Sequence, residues 1–181
     1  AKVDARWDSK RDGRDCHFLF TGSWNNHGGS FVQRGGMEVA LAFAHLVRDY
    51  PDARLTMRTT LPPSIHEAFG GFLNSIPNLT WIEPAIDDAA LFDLLLDADV
   101  FLLPAAGLHS LSLLRAMATG AVILTADAPG VEQFVRPDET CHRVPLFQPG
   151  WSVWDPETGL LRQSYKVYEE GHNQAFVAPL R

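Results

Sequence analysis

ADVFLLPAAGLHSLSLLRAMATGAVILTA, residues 98–126, is the stretch whose reading decides the fold. It opens with a short apolar run, Val100 to Pro104, which reads as a strand covered on both faces. A loop of small residues, Pro104 to Ser110, follows and runs straight into an amphipathic segment carrying Leu111, Leu114 and Met117. Gly120 ends that helix, and a second apolar run, Ala121 to Ala126, reads as the next strand. A strand, a helix and a strand within so few residues make a parallel crossover unit.

The same alternation extends in both directions. Further strands are expected at His17 to Gly22, Arg54 to Thr60, Leu79 to Glu83 and His142 to Leu146. Between them, Gly36 to Tyr50 places Val39, Phe43, Leu46 and Tyr50 on one helical face. Ser64 to Ile76 follows a double proline, with Ser64 as N-cap and Glu67 three residues on, the pattern of a capping box. A helix from Asp87 to Asp97 sets two carboxylates at its positive end and turns Leu91, Leu94 and Leu95 inward. A short helix is expected after Gly130. The fold class is therefore α/β, a Rossmann-like parallel sheet with helices on both faces. Residues 16–148 form this domain. Residues 1–15 read as a linker-like segment, and 149–181 as an aromatic-rich flap with the start of a truncated helix, so both ends look like boundaries within a longer chain. Trp151 and Trp154 in that flap either pack on the sheet edge or stack on sugar.

With 181 residues and 46% apolar content, one core is expected. A net charge of −7 without a dense Lys/Arg run argues against a nucleic-acid groove. The longest apolar run, about nine residues, falls well short of the roughly 20 that span a bilayer. The charged first residues do not form a signal peptide, which points to a cytoplasmic location. Cys16 and Cys141 lie far apart with no metal-like spacing, and the seven histidines show no H-x-x-x-H pattern, so no metal site is expected.

Open α/β sheets bind ligands beyond the carboxyl ends of their strands. Three loops leave those ends. Thr21 to Gly36 is glycine-rich and carries Arg34, which suits a diphosphate or is simply solvated. Pro104 to Ser110 feeds a helix N-terminus whose free N–H groups attract anions, with His109 and Ser110 as side-chain donors, unless His109 merely caps the helix. Ala126 to Gly130 walls the same cleft.

Ala98 to Pro104 followed by Leu113 to Leu124 resembles the signature of the family 4 (group 1) retaining glycosyltransferases, which reads A-D-V-F-V-L-P, a Gly-rich loop, then L-L-E-A-M-A-S-G-x-P-V-V. Phe18 to Gly22 is similar to that family's first strand and G-R loop, Arg34-Gly35 to its K-G, and Ala40 to Phe43 with Tyr50 to Leu55 to its first helix and second strand. The resemblance covers roughly Asp15 to Leu146. It implies the C-terminal, nucleotide-sugar-binding half of a GT-B fold. The partners implied are an NDP-sugar donor and an N-terminal acceptor domain of the same protein, through which peripheral membrane contact is conceivable. No cofactor or metal is implied, because cations and helix N-termini neutralise the leaving diphosphate.

Carried over residue by residue, the diphosphate falls to Gly22, Ser23, Arg34, Gly35, Leu108, His109 and Ser110. The donor sugar and ribose fall to Gly107, Leu111 and Arg115, and the base to Ile86 and Asp87. The chain departs from the pattern at the site itself. The family's paired glutamates align with Gly107 and Arg115, and its G-R arginine with Ser23, for which His27 is a candidate substitute. Two functions thus stand side by side: an active transferase with a rebuilt donor pocket, or a degenerate, non-catalytic binding or scaffolding module of the same fold.

Overall fold

The computed structural model describes residues 15–22, 29–83, 85–105, 107–128, 130–136 and 141–144. All of the expected linker but Asp15, the expected aromatic flap, Ser23 and His27 lie outside the described residues. The strands are β1 (His17–Thr21), β2 (Arg54–Arg58), β3 (Leu79–Ile82), β4 (Val100–Leu103), β5 (Val122–Ala126) and β6 (Cys141–Val144). They form a six-stranded, all-parallel sheet in the order β3-β2-β1-β4-β5-β6. The helices are α1 (Gly29–Gln33), α2 (Gly36–Asp49), α3 (Pro63–Asn74), α4 (Asp88–Asp97) and α5 (Ser110–Ala118), with a 3₁₀ turn at Val131–Gln133.

Strand order reverses direction after β3, which makes the crossing from β3 to β4 a switch. Right-handed crossovers then place α2 and α3 on one face and α4 and α5 on the other. The packing agrees: Phe18 of β1 meets Phe43 of α2 edge-on at 6.1 Å, while α4 touches α5. Fully buried side chains fill both layers, including Leu19 and Phe101, which sit opposite each other across β1 and β4, and Leu113 of α5.

Several local expectations are corrected. The segment before Arg34 is not wholly loop: Gly29–Gln33 makes one helical turn and a half, driven by burial of Phe31 against Phe20, Trp81 and Gly36. The capping box at Ser64 does not form. Pro63 takes the first helical position, where its missing N–H costs nothing, and Pro62 stands at the N-cap without a side-chain bond. Tyr50 leaves the buried stripe of α2, which consists of Val39, Ala40, Phe43 and Val47, because the helix ends at Asp49 and the ring is 67% exposed. In α5, Leu113 and Ala116 face the core while Leu111 and Leu114 are exposed. Its C-terminus follows the expectation: Gly120 at φ +75 donates to Met117, and Ala121 donates to Ala116, closing a Schellman motif.

The amino ends of the strands are clamped. His17, almost fully buried, places Nδ1 2.9 Å from Asp97 and Nε2 2.8 Å from the Thr56 hydroxyl, and Arg54 donates to the same Asp97 oxygen.

Gly35 joins the two halves of the sheet near its carboxyl end. Its φ of +79 is a left-handed conformation, and a Cβ there would lie 2.8 Å from both the ring and the carbonyl oxygen of Pro104. A Gly35→Ala variant is expected to lose roughly 1–3 kcal/mol, read as a fall in the urea midpoint at unchanged m-value. An unchanged midpoint would mean that the turn relaxes freely.

Candidate functional site

The carboxyl ends of β1, β2 and β4 open onto a cavity of about 280 Å³. Arg34 is its centre. It leaves α1 at a turn in which its own N–H donates to Ser30 and that of Gly35 donates to Val32. The side chain runs inward and is only 8% exposed. Nη1 donates to the Thr21 carbonyl at 3.3 Å and to the Ser112 hydroxyl at 3.2 Å, and Nη2 donates to Nδ1 of His109 at 3.2 Å. These three acceptors are neutral. Burial, with a smaller contribution from Arg58, lowers the Arg34 pKa to about 10.

Arg58, the last residue of β2, brings a second buried cation to the same wall, its pKa also lowered by burial. On the opposite side stands the start of α5. His109 occupies its N-cap position without a capping bond from the ring, so it does not act as a cap. The first helical carbonyl acceptor is that of His109 itself, taken by Leu113. The amides of Ser110, Leu111 and Ser112 precede that first bond and carry the positive end of the helix dipole. His109 is pushed down to about 4 by burial and then by Arg34. Its ring is therefore neutral at ordinary pH.

Leu91 and Leu95 of α4 and Phe101 of β4 supply an apolar side, and Ile86 and Leu108 the rim. Arg115 of α5 reaches Asp88 of α4 at 3.2 Å, both of them lining the cavity and partly exposed. Three cations, one carboxylate and a helix N-terminus give this space the electrostatics of an anion site. A larger hollow of about 590 Å³ at the opposite end of the sheet is lined by Asp15, Asp49 and Asp52 and, among the described residues, by no cation.

Of the residues expected from sequence, Gly22, Arg34, Ile86, Leu108, His109, Ser110, Leu111 and Arg115 line one cavity. Gly22 and Gly35 do not offer free amides: that of Gly22 donates to Arg58 at 2.7 Å, and that of Gly35 to Val32. Their role is close approach, since a Cβ on Gly22 would meet the Thr59 hydroxyl at 2.7 Å. Gly35, Gly107 and Asp87 fall outside the cavity wall. Asp87 caps α4 by accepting from the amide of Ala90 at 2.8 Å. Sequence reasoning missed Arg58, Asp88 and Ser112. Arg58 ends a strand that also begins with an arginine, RLTMR, so its position alone gives no signal. The other two carry no pattern that separates them from surface residues.

No family model matches the chain, and no curated protein matches it in sequence. Solved structures do resemble it. The C-terminal domain of a glycosyl transferase group 1 family protein, LpcC, from Francisella tularensis is 15% identical, with a TM-score of 0.59 over 78% of this chain and 73% of that one. WaaG, a glycosyltransferase involved in lipopolysaccharide biosynthesis, is 18% identical, with a TM-score of 0.56 over 99% of this chain and 43% of WaaG. A trehalose-6-phosphate protein from E. coli bound with UDP-2-fluoro glucose is 15% identical, with a TM-score of 0.51 over 74% of this chain and 34% of that one. The chain thus spans less than half of each of the two longer proteins.

The depressed His109 pKa has a thermodynamic consequence. Between its ordinary 6.5 and its native value near 4, the unfolded chain binds a proton that the native state refuses, so stability falls as pH drops through that window. Relative to a His109→Gln variant, the wild type is expected to lose roughly 2–3 kcal/mol between pH 7 and pH 4.5, measured by urea unfolding. Parallel curves for the two proteins would place His109 in water. These geometric and electrostatic features sit on a Rossmann-like α/β scaffold of the kind found in the glycosyltransferase structures it resembles.

Proposed function

We propose that this domain holds the diphosphate of a nucleoside-diphosphate sugar and serves as the donor-binding half of a retaining GT-B glycosyltransferase. The observation that carries the reading is the Arg34 guanidinium, buried beneath the cavity with only neutral hydrogen-bond partners among the described residues. A phosphate oxygen supplies the charge that these partners lack, and hydrogen bonds between ionised groups are the strong ones. Arg58 and the first amides of α5 would share the load, and Ile86 on the rim would meet the base. The UDP-2-fluoro glucose bound to one of the similar structures supports this class of ligand.

In the proposed reaction the bond between the anomeric carbon and the β-phosphate oxygen breaks. The acceptor hydroxyl then bonds to that carbon on the same face and passes its proton to the departing phosphate. Positive charge grows on the sugar ring while negative charge grows on the diphosphate, so fixed cations around the leaving group lower the barrier. A separate acceptor domain of the same protein would complete the enzyme, and the present segment would bind without turning over.

Calorimetry with UDP-, GDP- and ADP-sugars tests the reading. One of them is expected to bind, and Arg34→Ala should weaken that binding by roughly 1.5–3 kcal/mol. Silence from all three at millimolar concentration would sink the proposal and leave a non-catalytic module of the same fold.

A further inference from the structure

We propose that Arg34 locks His109 in its Nε2–H tautomer, making this ring the neutral hydrogen-bond donor of the diphosphate site, so that anion capture is independent of pH between about 5 and 8. The ligand half of this inference rests on the diphosphate reading above. The tautomer stands on the geometry alone.

Arginine has five N–H donors and no acceptor. The 3.2 Å contact from its Nη2 to Nδ1 of His109 therefore has one polarity: the Nδ1 lone pair accepts. A neutral imidazole carries a single N–H, which must then sit on Nε2. Arg34 has little freedom to release the ring, because its Nη1 is held by Thr21 and Ser112, and its backbone is fixed by the Gly35 turn. A proton on Nδ1 would set N–H against N–H beside a guanidinium.

Among the described residues, the charged groups that line the cavity with this ring are few. They are Arg34 ahead of α2, Arg58 from β2, Arg115 from α5 and Asp88 from α4, the last two paired with each other. Burial opposes a second proton on the imidazole, and the Arg34 guanidinium acts in the same direction. Since His109 lines the cavity, Nε2–H is the polar atom it has left for a ligand oxygen. The site then draws its charge from guanidinium groups that never titrate near neutrality, and takes direction from a neutral donor.

The test uses the full chain, labelled with ¹⁵N, and long-range ¹H–¹⁵N correlation of the histidine rings from pH 8 to pH 5, with His109→Gln identifying the resonances. Without ligand, His109 is expected to show a protonated Nε2 and a bare Nδ1 throughout. An Nδ1–H pattern, or titration near the ordinary histidine value, would overturn the lock. An Arg34→Gln variant should raise the ring's pKa part of the way, burial still holding it below the ordinary value, and should loosen the tautomer, and a ring unchanged in both respects would also count against the lock.

The second arm titrates the symmetric dimethyl diester of pyrophosphate, whose two phosphates each stay singly ionised throughout this range. Its affinity should stay within about twofold from pH 8 to pH 5.5. His109→Gln, which can accept from Arg34 and still donate, should keep most of it, while His109→Leu should lose about tenfold. A tenfold gain at low pH would mark a cationic histidine and refute the proposal. No diester binding alongside an intact Nε2–H pattern would instead refute the diphosphate reading, and with it the donor role of His109.

Discussion

Taking a guanidinium out of water costs on the order of several kcal/mol, and the groups among the described residues that receive the Arg34 hydrogens return little of it because none of them carries charge. The arrangement nevertheless draws on every nearby element. The end of β1 offers a carbonyl, α5 a hydroxyl, the loop before α5 an imidazole, and α1 fixes the backbone from which the side chain departs. An ensemble of polar groups assembled around a cation in this manner is poor for stability and well suited to a doubly charged anion. The rest of the domain, including the buried aromatic contacts of Phe31 and the strand pairing of β1 with β4, keeps these groups in register.

The fold was legible because parallel strands buried on both faces leave short apolar runs, and those runs are spaced by segments of helical period. Strands β1 to β5 fall within a residue or two of where the pattern puts them. What escaped the pattern was short or terminal. Gly29 to Gln33 spans too few residues for periodicity to show, and only the burial of Phe31 makes it helical. Tyr50 has the correct spacing for the core face, yet it arrives one residue after the helix stops. Ser64 has a capping sequence, but the proline before it claims the helix start.

The site was legible where residues sit in loops at strand ends, and illegible where helices contribute from the side. Arg34 and His109 could be named because they lie in the connections leaving β1 and β4, and Ser110 because it opens the helix that the second of these feeds. Arg58 is indistinguishable in sequence from an outward-facing strand residue, and only the sheet order turns it toward Arg34. Arg115 is the most instructive position. In the sequence it looks like a reversal of charge, a cation where the similar family has a carboxylate, but in space Asp88 returns a carboxylate to the same wall from α4. Local charge there is a property of two helices together, which no single stretch of sequence displays.

Gly35 presses against Pro104, one residue from the buried cation and at the end of the strand that leads toward α5. The two residues fit as a flush joint with no room for a methyl group between them. Over generations, then, neither can drift alone: a bulkier neighbour on one side demands a retreat on the other. Mutational history at Pro104 would thus be written partly into position 35, and reshaping one of these loops during descent would drag the other with it.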